Sequence, residues 1–209
     1  YGIKEKHYLN PKNFNTDPTK RKQVNDLLKK MQRQIRVNGG QHAATQHYMS
    51  NYGYVPLWIV VKVLSFGIIS ELFSILKPED QRDMASIYNL SPEDLCQYFP
   101  IMSNYRNLCA HEDILFNHRS QRVIEDNKYH YYLNIPKMNG EYIYGKDDLF
   151  ALIIILRQIL RNEDFRLLVN EISYELDILE GKLQHIKIDK VMDAIGFPKN
   201  YKEIVRMDI

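Results

Sequence analysis

The sequence predicts an all-α fold, a helical bundle with a small β-hairpin or irregular insertion around residues 119–145. Apolar residues recur every three or four positions through most of the 209 residues, which is the period of helices with one buried face. Proline and acidic residues stand where helices begin, as in Asp17-Pro18 and Ser91-Pro92-Glu93-Asp94. The segment 119–145 lacks the helical period, which places the insertion there.

The chain begins with a segment of irregular pattern and continues into an amphipathic helix. Residues 1–17 have no helical period and contain Pro11, so we expect an extended arm, followed by a single domain over residues 18–209. The first helix begins at Asp17-Pro18 and ends at Gly39-Gly40. Its predicted core face consists of Val24, Leu27, Leu28, Met31 and Ile35.

A short helix over residues 41–52 precedes the most apolar stretch of the chain. Its His42 and His47 are five positions apart and do not share a helical face, so we predict no metal site and no other cofactor. The stretch from Val55 to Leu76 is apolar on all sides and predicts a central helix, with Trp58 in the core. Lys62 and Glu71 make it a buried helix rather than a membrane span.

The remaining helices are marked by their caps. We predict helices over residues 77–89, from Ser91 to the region of residue 111, over 147–160, over 163–185, and over 189–195, where Gly196 ends the last one. Pro100 should kink the second of these helices. In the insertion, Tyr129–Leu133 and Glu141–Tyr144 have strand propensity around an Asn-Gly turn. Their tyrosines either fill a sheet face or stack on unpaired bases.

Composition indicates a cytoplasmic globular protein. Apolar residues make up 44% and charged residues 26% of the chain, and no signal peptide is visible. Cys96 and Cys109 lie in apolar-rich segments, which favours two buried reduced thiols over a disulfide. The chain begins at Tyr1 without an initiator Met, so we expect a fragment that lacks an N-terminal portion.

Positive charge is concentrated near the N-terminus. The first 40 residues carry ten Lys and Arg against three Asp and Glu, although the net charge of the whole chain is only +2. On the polar face of the first helix, the candidate RNA-binding residues are Lys29, Lys30, Arg33 and Arg36. Such a face is either ordinary solvated surface or a surface that binds the phosphates of nucleic acid.

The candidate catalytic residues are Arg106, Asn107 and His111. At helical spacing, Asn107 and His111 share a face with Asn104, whereas Arg106 lies about 140° from His111 around the axis. Tyr105, Leu108 and Cys109 fall on the other side and predict a core face. Histidine transfers protons near neutral pH, and arginine stabilises the charge that develops on a phosphate under attack. These residue types suit metal-independent cleavage of a phosphodiester.

Four separated segments carry a resemblance to a known family. They are Val55-Pro56-Leu57-Trp58-Ile59-Val60 running into Leu64-Ser65-Phe66-Gly67, Arg106-Asn107-Leu108-Cys109-Ala110-His111, Phe116-Asn117-His118-Arg119, and Ile195-Gly196-Phe197-Pro198-Lys199-Asn200. In these segments the chain resembles the Abi-like (AbiD/AbiF-type) family of bacterial abortive infection, whose domain belongs to the HEPN superfamily of all-helical ribonucleases. The resemblance implies a HEPN-like bundle and a cytoplasmic toxin of antiviral defence. Family members usually carry more sequence before this point.

The resemblance implies an endoribonuclease in which Arg106, Asn107 and His111 act on RNA and leave a 2′,3′-cyclic phosphate. His118 and Arg119 follow within one to two turns and extend the candidate RNA-binding set. In many relatives a second His and a basic residue follow the motif, but Glu112 and Asp113 stand here and lower the positive potential beside the phosphate.

We also expect a symmetric homodimer with its cleft between two copies of the motif helix. A twofold axis beside the stripe would bring two arginines and two histidines to one phosphate, and HEPN relatives commonly build their site in this way. Two alternatives to a ribonuclease stay open. The chain would be a non-catalytic module that binds RNA, including a small noncoding RNA regulator, or a helical interaction scaffold.

Overall fold

The computed structural model describes residues 2–207 and confirms an all-α fold with one small hairpin. The chain divides into two compact units, Tyr1–Pro92 and Glu93–Ile209. The expected single domain over residues 18–209 stays a prediction. In the described residues of the first unit, the α-helices are α1 Glu5–Tyr8, α2 Arg21–Asn38, α3 Ala43–Tyr52, α4 Leu57–Val60, α5 Phe66–Ile75 and α6 Pro78–Ser86.

The core of the first unit forms around α2. Val24, Leu27, Leu28 and Met31 are buried as the apolar period predicts, and Ile35 packs against the same cluster while partly exposed. Full burial of each such side chain stabilises the fold by about 1.5–3 kcal/mol. Asp17 accepts a hydrogen bond from the Thr19 N–H at the start of a single 3₁₀ turn, Pro18–Lys20, that leads into α2.

Residues 1–17 do not form the extended arm that we predicted. The described part contains α1 and a 3₁₀ turn at Pro11–Asn13, and Tyr8 and Phe14 are buried in the core. The Tyr8 hydroxyl donates to the Val55 carbonyl at 2.8 Å. These elements are only three or four residues long, so no apolar period could reveal them.

The predicted single helix over residues 55–76 is wrong, because the chain breaks between α4 and α5. Ser65 caps α5 by accepting a hydrogen bond from the Ile68 N–H. Side chains of α2 bond the peptide groups at the break, where Asn38 donates to the Val63 carbonyl and Gln34 accepts from the Ser65 N–H. Trp58, predicted in the core, is 53% exposed. No described helix is long and apolar enough to cross a membrane.

The second unit begins with α7, which spans Pro92–Ala110 and starts at the boundary between the units. The helix continues through Pro100. The elements that follow are α8 Lys128–Tyr132, β1 Lys137–Met138, β2 Glu141–Tyr142, α9 Leu149–Ile159, α10 Asn162–Lys182, α11 Ile188–Ile195 and a 3₁₀ helix at Tyr201–Arg206. Gly196 ends α11 with a φ of 80°, as predicted.

The hairpin forms, but with a different first strand from the one predicted. β1 and β2 are antiparallel, with Met138 opposite Glu141, and the turn residues Asn139 and Gly140 both have positive φ. This turn suits the twist of a tight hairpin. Residues 129–132 are helical instead of extended because Asn127 and His130 form a reciprocal capping box.

Candidate functional site

The predicted catalytic residues lie at the C-terminal end of α7. Asn104, Arg106, Asn107 and His111 are exposed, whereas Tyr105 is buried and anchors this end of the helix in the core. The predicted core face is therefore confirmed at Tyr105. It is narrower than expected, since Leu108 is partly exposed and Cys109 is exposed.

His111 is the first residue after the helix, and its position is set by a specific C-terminal cap. Its N–H donates to the Asn107 carbonyl at 3.0 Å, and the chain then turns through Glu112, whose φ is 56°. The Asp113 N–H returns to the Leu108 carbonyl at 3.0 Å, and the Glu112 N–H lies 3.5 Å from the Cys109 carbonyl. This pair of bonds is the Schellman arrangement, which usually places glycine where Glu112 stands.

The side chains of the motif form two pairs. Arg106 donates to the Asn107 amide oxygen at 3.3 Å. His118 Nε2 lies 2.6 Å from the Asn104 amide oxygen, and the His118 ring meets the Tyr105 ring edge to face at 5.3 Å between centroids. Across residues 2–207, no hydrogen bond or ion pair engages the imidazole of His111. The structure thus brings Asn104 to His118, and does not join Arg106 to His111 within one chain.

Pairing of His118 with Asn104 is the feature that the sequence did not reveal. With the amide oxygen as the acceptor, Nε2 is the donor of this hydrogen bond. The two residues are fourteen positions apart and on different elements, so helical spacing could not connect them.

Arg119 makes structural contacts instead of standing free. Its guanidinium donates to the carbonyls of His118 and Ala194 at 3.1 and 3.0 Å, and its Nε lies 3.8 Å from an Asp147 carboxylate oxygen. These contacts connect the loop after α7 to the ends of α9 and α11. The predicted role of Arg119 in RNA binding stays a prediction.

The predicted RNA-binding residues of α2 lie in the other unit. Lys29, Lys30, Arg33 and Arg36 are all exposed. Lys30 forms an ion pair with Glu71 at 2.8 Å, so its charge is partly neutralised. Beside it, a groove of about 390 Å³ is lined by Lys30, Arg33, Gln34, Val37, Asn38 and Ile68.

The family model for Abi-like proteins matches residues 1–117, which is more than half of the 209 residues. The chain belongs to the Abi-like protein family. No curated protein and no solved structure matched it. Membership of the HEPN superfamily and of the AbiD/AbiF group stays a prediction.

The family match covers only part of the site of this Abi-like protein. It includes α7 and the motif from Arg106 to His111, and it ends at Asn117, directly before His118. The segment Ile195–Asn200, which carried part of the resemblance, lies outside the match.

Gly196, within that segment, lies directly against a buried carboxyl group. A Cβ at Gly196 would stand 2.2 Å from the carboxyl group of Asp148, which is buried and accepts hydrogen bonds from the N–H groups of Gly145 and Ala151. Burial raises the pKa of the Asp148 carboxyl to about 6, although those N–H donors lower it. Burial, followed by the Asp148 charge, also raises the pKa of the Tyr105 hydroxyl. Asp148 and Gly196 thus lie against each other, and the Asp148 carboxyl is close enough to the Tyr105 hydroxyl for its charge to act there.

Metal binding has no cluster to support it in the described part of the chain. No group of three or more His, Cys, Asp or Glu side chains is arranged there to hold a metal ion. The end of α7 carries one arginine, two amides and two imidazoles, next to the exposed Cys109 thiol and the carboxylates of Glu112 and Asp113.

Proposed function

We propose that this Abi-like protein is a metal-independent endoribonuclease of a bacterial abortive-infection system, a form of phage defence. Family membership supports the role in defence. The observation that carries the proposed chemistry is the exposure of Arg106, Asn107 and His111 at one end of α7, where no hydrogen bond or ion pair from residues 2–207 engages the His111 imidazole. An imidazole without such a bond is available to a substrate.

The proposed reaction is attack of the RNA 2′-hydroxyl on the adjacent phosphorus. One imidazole accepts the 2′-hydroxyl proton while the new oxygen–phosphorus bond forms, and the bond to the 5′-oxygen then breaks. The leaving oxygen receives a proton, so the products are a 2′,3′-cyclic phosphate and a 5′-hydroxyl. The Arg106 guanidinium stabilises the phosphorane dianion through its planar set of donors.

Two histidines allow the base and the acid to be different groups. His118 is oriented by Asn104 and by the ring of Tyr105, and no hydrogen bond within residues 2–207 engages its Nδ1. We assign His111 as one proton carrier and His118 as the other. Asn107 holds the Arg106 guanidinium and so positions the phosphate ligand.

We further propose that the active unit is a symmetric homodimer. No bond joins Arg106 to His111 within the described chain, so a second copy would supply the missing partner. Exposed apolar side chains stand next to the site and suit an interface, because Ile114 is 76% and Phe116 is 47% exposed. Isologous twofold dimers are the commonest protein oligomers.

The basic face of α2 is proposed to bind phosphates of the RNA. Lys29, Arg33 and Arg36 contribute exposed charges, and Lys30 contributes less because it pairs with Glu71. The partner is RNA, either a substrate or a small noncoding RNA regulator.

A non-catalytic RNA-binding module is the second candidate function. The observation that favours it is the pair of carboxylates at Glu112 and Asp113, directly after His111, which repel a phosphate. Arg106, Asn107 and His111 would then bind RNA without cleaving it.

The deciding experiment is cleavage of a mixed RNA pool in EDTA by wild type and by His111→Ala. We expect wild-type cleavage and a loss of about 10²-fold or more in the variant, the typical contribution of a proton-transfer residue. His185→Ala is the matched control, because His185 is an exposed histidine of the same unit outside the motif. Equal cleavage by His111→Ala would remove the site assignment, and binding without cleavage by wild type would favour the second candidate.

A further inference from the structure

A row of aromatic rings lies on the surface of the first unit, at the C-terminal end of α3. We call His47, Tyr48, Tyr52 and Tyr54 the aromatic ridge. The Tyr48 and Tyr52 ring centroids are 5.5 Å apart, those of Tyr52 and Tyr54 are 6.2 Å apart, and His47 meets Tyr52 at 6.1 Å. The rings thus form one continuous series.

Tyr48 anchors the ridge to the core of the first unit, whereas Tyr52 is exposed. Tyr48 packs against the core cluster, and Gly53 ends α3 with a φ of 70°, which turns the chain so that Tyr54 continues the series. Asn51 holds the His47 ring through a contact of 3.1 Å to Nδ1. Tyr52, in the middle of the row, is nevertheless 57% exposed. Three neighbouring rings thus contact Tyr52, while more than half of this residue stays exposed.

A cation lies beside the ridge, and the sequence around the ridge is poor in acidic residues. The Lys4 amine lies 5.4 Å from the centroid of the Tyr54 ring. No acidic residue occurs between Asp26 and Glu71, a stretch that contains five Lys and Arg. Glu5, the acidic residue next to Lys4, accepts a hydrogen bond from the Val55 N–H. A polyanion would therefore meet little repulsion here.

We propose that the aromatic ridge binds unpaired bases of a single nucleic-acid strand, with Lys4 against a phosphate. Fixed rings beside cations are the usual means by which proteins hold single strands, since every base has a face that stacks on an aromatic ring. Duplexes present no free base faces and do not fit. The choice of RNA over DNA rests on the proposed function, whereas the stacking site rests on the ridge itself.

The test measures the Kd of a fluorescein-labelled single-stranded 2′-O-methyl RNA by anisotropy. This probe lacks the attacking hydroxyl, so binding is measured without cleavage. We expect Tyr52→Ala to weaken binding by about 5-fold to 150-fold, the range for loss of one stacked base. Tyr52→Trp should bind at least as tightly as wild type, and Lys4→Ala should reduce the salt dependence by about one phosphate contact.

Tyr174→Ala is the matched control, because Tyr174 is 62% exposed in the second unit. It should bind as wild type does, and circular dichroism should show that Tyr52→Ala remains folded. A single-stranded DNA of the same sequence should respond to Tyr52→Ala in the same direction, while binding of a duplex RNA should not respond. Equal Kd values for wild type and Tyr52→Ala, or no measurable binding by wild type, would overturn the proposal.

These outcomes are separable from those of the proposed function. Cleavage that depends on His111, together with an unaltered Kd in Tyr52→Ala, would remove the ridge and leave the ribonuclease. Binding that depends on Tyr52, in a protein that does not cleave RNA, would do the reverse.

Discussion

Replacement of Glu112 by glycine should stabilise the protein, because Glu112 ends α7 in the left-handed region with a φ of 56°. A residue with a Cβ pays a conformational cost in that region that glycine does not, and we take the cost as about 1 kcal/mol. The substitution also removes an acidic side chain from a helix C-terminus, where negative charge is unfavourable. For a chain of this length, 1 kcal/mol corresponds to a rise in Tm of about 2–4 °C.

Glu112→Ala separates the two contributions. It removes the same charge but retains the Cβ, so it should be less stable than Glu112→Gly by the conformational part, about 1 kcal/mol. The assay is urea unfolding followed by circular dichroism for wild type and both variants. If the glycine variant is no more stable than the alanine variant, the left-handed cap at this residue is not a source of strain and the reasoning fails.

The same two variants test the electrostatics of the proposed site. Both remove the carboxylate next to His111, so both should bind RNA more tightly and cleave it faster than wild type by similar factors. A gain in the glycine variant alone would mean that backbone geometry, and not charge, limits the site.

Two further predictions concern the buried carboxyl group of Asp148 and its neighbour Gly196. The folded-state pKa of Asp148, about 6, lies above the ordinary value of 3.8, so the folded state binds more protons between these values and stability falls as pH rises through this window. The change in the free energy of unfolding across this window is on the order of 3 kcal/mol. The difference in unfolding free energy between wild type and Asp148→Asn should therefore change between pH 4 and pH 7. The same difference at both pH values would contradict the prediction. Gly196→Ala should destabilise the protein by about 2 kcal/mol or more, on the order expected for steric overlap at a positive φ. Gly181→Ala is the control, because Gly181 lies in α10 with open space around it, and this change should stabilise the protein by about 0.5–1 kcal/mol. Equal effects of the two substitutions in urea unfolding would refute the steric argument.

The sequence by itself determined the helices that have a long period or a clear cap. The buried face of α2, the Asn-Gly turn of the hairpin and the glycine end of α11 were all predicted, because each depends on residues close together in the chain. The same locality explains why the exposed end of α7 could be identified as a candidate site.

Tertiary structure decided which side chains meet. At the division of the helix predicted over residues 55–76, where Ser65 caps α5 locally, Asn38 and Gln34 of α2 also bond the peptide groups. Trp58 is exposed despite its apolar surroundings in the sequence. The pairing of Asn104 with His118 joins two elements across fourteen residues. Such contacts depend on how elements pack, and no period within one element can encode them.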